Sequence, residues 1–337
     1  MTPRLIRRLG QSGIEISPIG LGTWAMSGTG WNQGWGPQDD AVSIATIHRA
    51  VELGINWIDT AATYGIGHAE EVVGRAIATL PRAIRPLIFT KCGVVRNPSR
   101  PDAPAIRTLA PSSIRAEVDG SLRRLGIERI DLLQFHWPDE VGTPVEESWG
   151  TMVDLIGEGK VRAAGVSNFP IESMERFHKA RRIDSVQPGL SLIHRQSLSD
   201  VIPWARDRGV AVIVFSPLRS GLLTDNFGAA DVAEFAATDW RRTHPDFMPP
   251  ALDRNLALRD ALRPIAQRHE TSTSSIAIAW ALASPGVTGV IAGARGPHEL
   301  DAWSNAGELV LSEQDLVESE LALKATGAGD GPTERTI

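Results

Sequence analysis

Four residues of chemically useful type stand where short apolar runs end. The stretch Asn56-Trp57-Ile58-Asp59-Thr60-Ala61-Ala62-Thr63-Tyr64-Gly65 brings a carboxylate, Asp59, to the close of one run and a phenol, Tyr64, onto the loop that follows. The next run closes on Lys91, within Phe89-Thr90-Lys91-Cys92-Gly93, and the one after on His136, within Gln134-Phe135-His136-Trp137-Pro138-Asp139. Lys91 shares strand parity with the apolar Leu87 and Phe89. A buried ammonium is costly unless paired, and Asp59 is the available partner. A free phenol titrates at about 10, and Lys91 is expected to lower that value by favouring phenolate. Such a Tyr64 could protonate a carbonyl oxygen while hydride arrives at the carbon. His136 could orient the carbonyl or assist the proton. Taken singly, each has an ordinary explanation: Tyr64 capping a loop, His136 as a satisfied interior histidine, Asp59 and Lys91 as a structural ion pair. Four together, on neighbouring strands about 4.8 Å apart, point to one site.

The elements that must position them follow from the pattern of the chain. Eight apolar runs, 18–25, 56–61, 87–93, 130–137, 161–169, 185–190, 211–218 and 287–294, read as strands. Amphipathic stretches at 40–53, 69–79, 111–125, 145–156, 171–180 and 199–208 read as the helices between them. In 111–125, Ile114, Val118, Leu122 and Leu125 fall on one helical face and Gly126 stops the helix. Strand–helix alternation demands parallel strands with right-handed crossovers. Eight such units predict a closed (β/α)8 TIM barrel, of about 250 residues, with its active site at the C-terminal strand ends. Residues 4–10 and 14–17 read as an N-terminal β-hairpin that plugs the barrel bottom. A Trp/Gly-rich segment follows the first strand, 222–250 is a long connection, and 256–268 with 274–283 lead into the eighth strand. The expected organisation is one barrel domain over 1–325 and a flexible C-terminal tail over 326–337.

Composition removes several function classes. Lys and Arg number 34 against 40 Asp and Glu, a formal charge of −6, which argues against a nucleic-acid or anionic-membrane surface. One cysteine, Cys92, excludes an intrachain disulfide and any multi-cysteine metal site. No metal is expected. No apolar run is long enough for a membrane span, and the first residues lack a secretory h-region, so a cytoplasmic setting is expected. Gly20-Leu21-Gly22-Thr23-Trp24-Ala25 mimics the dinucleotide fingerprint of a Rossmann fold, with Asp40 at the right distance. That fingerprint needs a helix to open there, whereas four glycines and a proline follow in 26–37, so the reading is rejected.

The chain resembles the aldo-keto reductase superfamily. The resemblance rests on D-T-A-x-x-Y-G at 59–65, T-K at 90–91, H-x-P-D at 136–139, G-V-S-N-F at 165–169, S-P-L at 216–218 followed by G-L-L-T at 221–224, and G-A-R at 293–295. These six motifs occur in family order from about residue 4 to 316. The resemblance implies a (β/α)8 barrel binding NADPH in extended form, with NADH possible, and a catalytic tetrad of Asp59, Tyr64, Lys91 and His136. It implies that Ser167, Asn168 and Gln187 hold the nicotinamide amide and that Phe215 stacks on the ring. Thr23, Trp24 and Asp59 would also touch the coenzyme. Ser216, Pro217, Leu218, Gly221 and Leu223 would line the pyrophosphate, and Gly293, Arg295 and Glu299 the adenosine. Two departures stand out: 187–192 lacks the Tyr and Asn of many relatives, and Glu299 and Trp303 replace the usual Gln or Arg and Asn.

Trp24, Trp31, Trp35, Trp137 and the 222–250 loop are expected to wall a pocket for a small carbonyl compound or a sugar, because Trp suits both apolar groups and sugar faces. Asn32 and Gln33 would add polar handles; Trp31 and Trp35 could equally serve to order a glycine loop. No nucleic-acid or membrane partner is expected, and a homo-oligomer is left open. Two other readings share these residues. One is a non-catalytic coenzyme-binding subunit on the same fold. The other is a barrel enzyme using Lys91 as a Schiff-base nucleophile, which a carboxylate partner disfavours by keeping the lysine protonated.

Overall fold

A computed structural model of the chain describes residues 5–29, 31, 33–96, 100, 103–237 and 239–334. Arg4 of the expected hairpin, Asn32 of the expected pocket and residues 335–337 of the tail lie outside the described residues. Alternating apolar runs and amphipathic stretches fold as their periods dictate. The strands β3 (Ile19–Gly22), β4 (Trp57–Asp59), β5 (Leu87–Cys92), β8 (Ile130–Phe135), β9 (Val161–Ser167), β10 (Ser185–Gln187), β11 (Ala211–Phe215) and β12 (Val287–Gly293) close into one parallel barrel. Its ring order is β10-β11-β12-β3-β4-β5-β8-β9. The hairpin of β1 (Arg7–Arg8) and β2 (Glu15–Ile16) precedes it, as expected. A second, unanticipated hairpin, β6 (Val94–Val95) with β7 (Ile106–Arg107), follows β5.

Helices α1 (Asp40–Glu52), α2 (His68–Ala78), α3 (Pro111–Leu125), α4 (Val145–Gly157), α5 (Ile171–Ala180) and α6 (Val201–Asp207) are the crossovers between strands. In α3 a proline in the first turn and Gly126 at φ 65° set the two ends. The last crossover carries α7 (Ala229–Glu234), α8 (Ala251–Ala261), α9 (Arg263–Arg268) and α10 (Thr273–Ala283), and α11 (Pro297–Asp301) and α12 (Glu313–Thr326) finish the chain. The expected single helix over 256–268 is thus two. Pro264 lacks an N–H and its ring crowds the preceding turn, so α8 stops and α9 starts anew there.

Strand alternation divides the core in two. Outward-facing residues of the strands pack against the helices, while Trp57, Phe89, Leu132, Ala163, Ile213 and Ile291 fill the barrel interior with Leu9, Ile14 and Ile16 of the hairpin plug. Trp57 leans across β3, where a Cβ on Gly20 would sit 2.3 Å from its ring. The indole N–H donates to Ser17 O at 2.9 Å, tying plug to barrel. The same parity that turns Trp57 and Phe89 inward turns Asp59 and Lys91 inward one step higher.

Within the segment expected to fray, residues 328–332 lie against 192–196. Arg195, 2% exposed, donates to the carbonyls of Leu192, Ala328, Gly331 and Pro332. Asp330 N donates to Ile193 O at 2.9 Å, and a Cβ on Gly329 would lie 1.8 Å from that oxygen. The glycines that looked like markers of disorder instead allow close backbone approach. Arg195→Met should therefore leave several buried carbonyls unpaired and destabilise the protein by about 3 kcal/mol in equilibrium denaturation; a loss below about 0.5 kcal/mol would show that the tail is not held this way.

Candidate active site

The C-terminal strand ends bring the four candidates together. Asp59 ends β4, Lys91 lies in β5, and His136 follows β8 with its N–H donated to Cys92 O at 2.9 Å. Tyr64 opens a short helical turn after β4, positioned by Thr60 N on Phe89 O at 2.9 Å and Ala62 N on Lys91 O at 3.3 Å. Gly65 next to it has φ 58°, and a Cβ there would meet Ser27 O at 2.3 Å. Lys91, 1% exposed, donates to Asp59 Oδ1 at 2.5 Å, Thr60 O at 2.9 Å and Tyr64 OH at 3.4 Å. Its three protons are all engaged. Asp59 Oδ2 accepts a further bond from Gln187 Nε2 at 2.8 Å. The His136 ring meets Tyr64 edge-on, centroids 5.7 Å apart.

Burial governs the electrostatics. Desolvation alone would depress Lys91, but Asp59 and Tyr64 hold it above its ordinary value, so it is an ammonium at neutral pH. Burial pushes the Asp59 carboxyl upward, with Lys91 and Gln187 pulling against it. Tyr64 departs from the sequence expectation. Burial raises the phenol above its ordinary value; Lys91 opposes this, but Asp59 adds to it and cancels part of the lysine's effect. The resting phenol is therefore protonated. Burial, helped by the positive charges of Lys91, Arg107 and Arg96, holds His136 well below the usual imidazole value, and its ring is neutral. It can orient a carbonyl but is not a cationic acid.

These groups open onto a cavity of about 1030 Å³, at the top of the usual range of roughly 300–1,000 Å³ for small-molecule sites. Thr23, Trp24, Asp59, Tyr64 and His136 lie in its wall with Ser167, Asn168 and Gln187. Phe215, Ser216, Pro217, Leu218 and Gly221 continue it, and Gly293, Arg295 and Glu299 form its far end. The side chain of Leu223 is fully buried in the core. Asn168, Ser216 and Ser220 line the cavity with φ of 62°, 58° and 55°, the kind of backbone strain that clusters at ligand clamps. Gly189 makes room for Phe215, whose ring would lie 3.3 Å from a Cβ there. The amide and hydroxyl groups of Ser167, Asn168 and Gln187 in its wall are of the kind that could hold a coenzyme amide.

At the far end Arg295 and Glu299 do not pair side chain to side chain. Arg295 Nε donates to Gln38 Oε1 at 3.0 Å and Nη2 to Pro37 O at 2.5 Å, while Glu299 Oε2 accepts the Arg295 backbone N–H at 3.2 Å. Helix α11 starts only at Pro297, so no helical turn spans the two.

Trp31, Trp35 and Trp137 line the other end, with Trp24 between. Trp31 and Trp35 also order their loop: Trp31 Nε1 donates to Ser27 Oγ at 3.1 Å, and Trp35 packs edge-on to Trp24 at 6.0 Å. Sequence reasoning placed the 222–250 loop here without naming its contacts. Trp240 stacks on Trp24 at 5.5 Å, and the Arg241 guanidinium lies 4.3 Å from the Trp35 ring centroid. An aromatic followed by Arg in a long loop was the available signal. No group of three or more ligating side chains suited to a metal occurs among the described residues, and no described helix is long and apolar enough to cross a membrane.

Comparison with known proteins agrees with this geometry. Residues 18–321 match the Aldo/keto reductase family. The aldo-keto reductase YhdN of Bacillus subtilis (strain 168) is 35% identical over 319 residues, covering 94% of this chain and 93% of that protein. The NADH-specific methylglyoxal reductase of Escherichia coli (strain K12) is 32% identical over 316 residues, covering 91% and 94%. The solved structure of the glycerol dehydrogenase AKR11B4 from Gluconobacter oxydans superposes with a TM-score of 0.86 at 33% identity, covering 100% of both chains.

One carboxyl supports the site from behind. Glu117 on α3 accepts the Gly93 N–H with both oxygens at 3.1 Å, just past Lys91, and burial raises its pKa from 4.5 to about 7. The folded protein thus holds a proton that the unfolded chain releases. Its stabilising contribution is complete below about 4.5 and disappears as pH rises to about 7. Between those limits wild-type stability should fall by roughly 3 kcal/mol, and Glu117→Gln should flatten that slope; equal slopes in denaturation at several pH values would reject this.

Proposed function

From the chain's membership of the aldo/keto reductase family, we propose that it transfers hydride between a nicotinamide coenzyme and the carbonyl carbon of a small aldehyde, ketone or sugar, with Tyr64 as the acid. The single observation that carries this is the Tyr64 phenol, bonded by Lys91 at the wall of a large cavity. The coenzyme supplies the hydride when reduced and accepts it when oxidised. In the reductive direction the Tyr64 O–H bond breaks and its proton goes to the carbonyl oxygen as that atom gains the electron pair of the C=O bond. Lys91 stabilises the phenolate left behind, which water from the cavity reprotonates. The neutral His136 orients the carbonyl oxygen toward Tyr64. Ser167, Asn168 and Gln187 hold the nicotinamide amide, and Phe215 flanks the ring. Ser216, Pro217, Leu218 and Gly221 follow the pyrophosphate, and Gly293, Arg295 and Glu299 the adenosine. The three committed protons of Lys91 disfavour a Schiff-base role, which needs a free amine.

The substrate end combines aromatic faces with Gln33 and His136, a setting for a short carbonyl compound with neighbouring polar groups. Relatives named for methylglyoxal and for glycerol support the same size class. NADPH is the preferred coenzyme in this reading and NADH is also accepted. Arg295 offers charge to a 2′-phosphate, but Gln38 and Pro37 already hold its guanidinium and Glu299 lies close by.

Tyr64→Phe should lower kcat by roughly 10²–10⁴-fold with coenzyme affinity nearly unchanged; retention of more than about a tenth of kcat would remove Tyr64 from the chemistry. Arg295→Ala should cut the NADPH-to-NADH affinity ratio about tenfold and Glu299→Gln should raise it. Coenzyme titrations check this, and tighter binding of NADH than NADPH by the wild type would overturn the preference.

A further inference from the structure

The bond from Gln187 to Asp59 spans the barrel. In the closed ring β10 and β4 stand opposite, four strands apart in either direction, and 128 positions separate the two residues. Neighbours on one strand pair cannot make such a contact. It needs a long amide reaching inward from the end of β10 to the end of β4. Both partners are nearly inaccessible, Asp59 at 3% and Gln187 at 2%.

The chemistry of the pair fixes its polarity. An ionised carboxylate accepts hydrogen bonds and cannot donate, so the Gln187 NH2 must face Asp59. The amide oxygen is then the end left for the cavity that Gln187 lines. Asp59 has its other oxygen on Lys91, and Lys91 reaches Tyr64 OH. A continuous series therefore runs from the coenzyme face of Gln187 through Asp59 and Lys91 to the phenol. Ser167 Oγ, donating to Gln187 O at 2.8 Å, steadies the backbone at its start.

We propose that Gln187 is a positioning residue for the proton-transfer step: its N–H, donated across the barrel, sets how much of the Asp59 charge is felt by Lys91 and Tyr64. The inference rests on the reductase reading above. The charged or titratable groups facing Tyr64 are Lys91, Asp59 and the neutral His136, with Arg96 beyond them holding Thr63 Oγ1 at 3.0 Å. Removing the Gln187 donor acts on the first two in one sense. If Asp59 stays ionised, its undispersed charge repels phenolate more strongly. If it draws a proton from Lys91, the cation favouring phenolate is lost. Either way the phenol becomes harder to ionise.

Tyr64 is the chain's single tyrosine, so the tyrosinate absorbance of the whole protein titrates this residue alone. Coenzyme-free wild type, Gln187→Met and Gln187→Glu should be titrated, with circular dichroism to confirm folding at each pH. Both variants should show the tyrosinate transition raised by about one pH unit. In Gln187→Glu the two carboxyls share a proton or add negative charge beside Tyr64. The limb of alcohol oxidation that requires phenolate should move up by the same amount. Asn168→Gly, which respects the left-handed backbone there and touches neither Asp59 nor Lys91, should weaken coenzyme binding and leave the titration in place. Weakened coenzyme binding in the Gln187 variants with the tyrosinate transition and the pH limb both unmoved would reduce Gln187 to a coenzyme contact and overturn the proposal. Wild type that neither binds nicotinamide coenzymes nor reduces carbonyls would instead overturn the reductase reading, and the tyrosine titration would still decide this one.

Discussion

The buried ion pair of Lys91 and Asp59 is the constraint around which the upper barrel is arranged. An ammonium at 1% exposure is tolerable only with its charge neutralised and its protons bound. Asp59 meets the first need and Thr60 O and Tyr64 OH help meet the second, which requires β4, β5 and the loop after β4 to keep their relative positions. Below the pair, Trp57, Phe89 and the hairpin plug make the interior dry and fixed. Above it, the cavity begins. The barrel's apolar packing and its polar chemistry are therefore successive levels of the same inward-facing rows.

Because the pair is satisfied, opposing influences meet at the phenol next to it. Lys91 and Asp59 act on Tyr64 with opposite signs, and burial decides the balance in favour of a protonated group. A protonated resting state suits the acid role proposed for Tyr64. Without Asp59, the cation would shift the balance further toward phenolate.

Much of this was legible in the sequence, and the limits of legibility are physical. All eight strand positions and the ends of α3 and α5 followed from period, proline and glycine, because each of those signals is local. Asp59, Tyr64, Lys91 and His136 could be grouped because parallel strands place their C-terminal ends on one face. What escaped depends on contacts remote in the chain. The Gln187–Asp59 bond needs the ring to close before the residues meet. The direction of the Tyr64 shift needed knowledge of burial as well as of neighbours. The glycines at 329 and 331 read as disorder, yet they allow the backbone to lie against 193–196. Leu223 matched a motif whose neighbours line the cavity, but its side chain turns into the core. The resemblance placed Arg295 and Glu299 at the adenosine, but the hold of Pro37 and Gln38 on the Arg295 guanidinium spans 257 and 258 positions and had no local signal.

The interlock of the two long loops has a consequence for how such a protein can change over generations. Trp24 and Trp35 come from the segment after β3, Trp240 and Arg241 from the segment before α8, and each set forms part of the other's packing surface. Arg295 adds a third stitch to Pro37 and Gln38. Loops on a barrel mouth are commonly treated as interchangeable parts, each free to drift on its own. Here a substitution in one strips an aromatic face from its opposite number, so inherited variation in the pair must be correlated. A graft intended to give this scaffold a new pocket would have to bring both segments from the same donor.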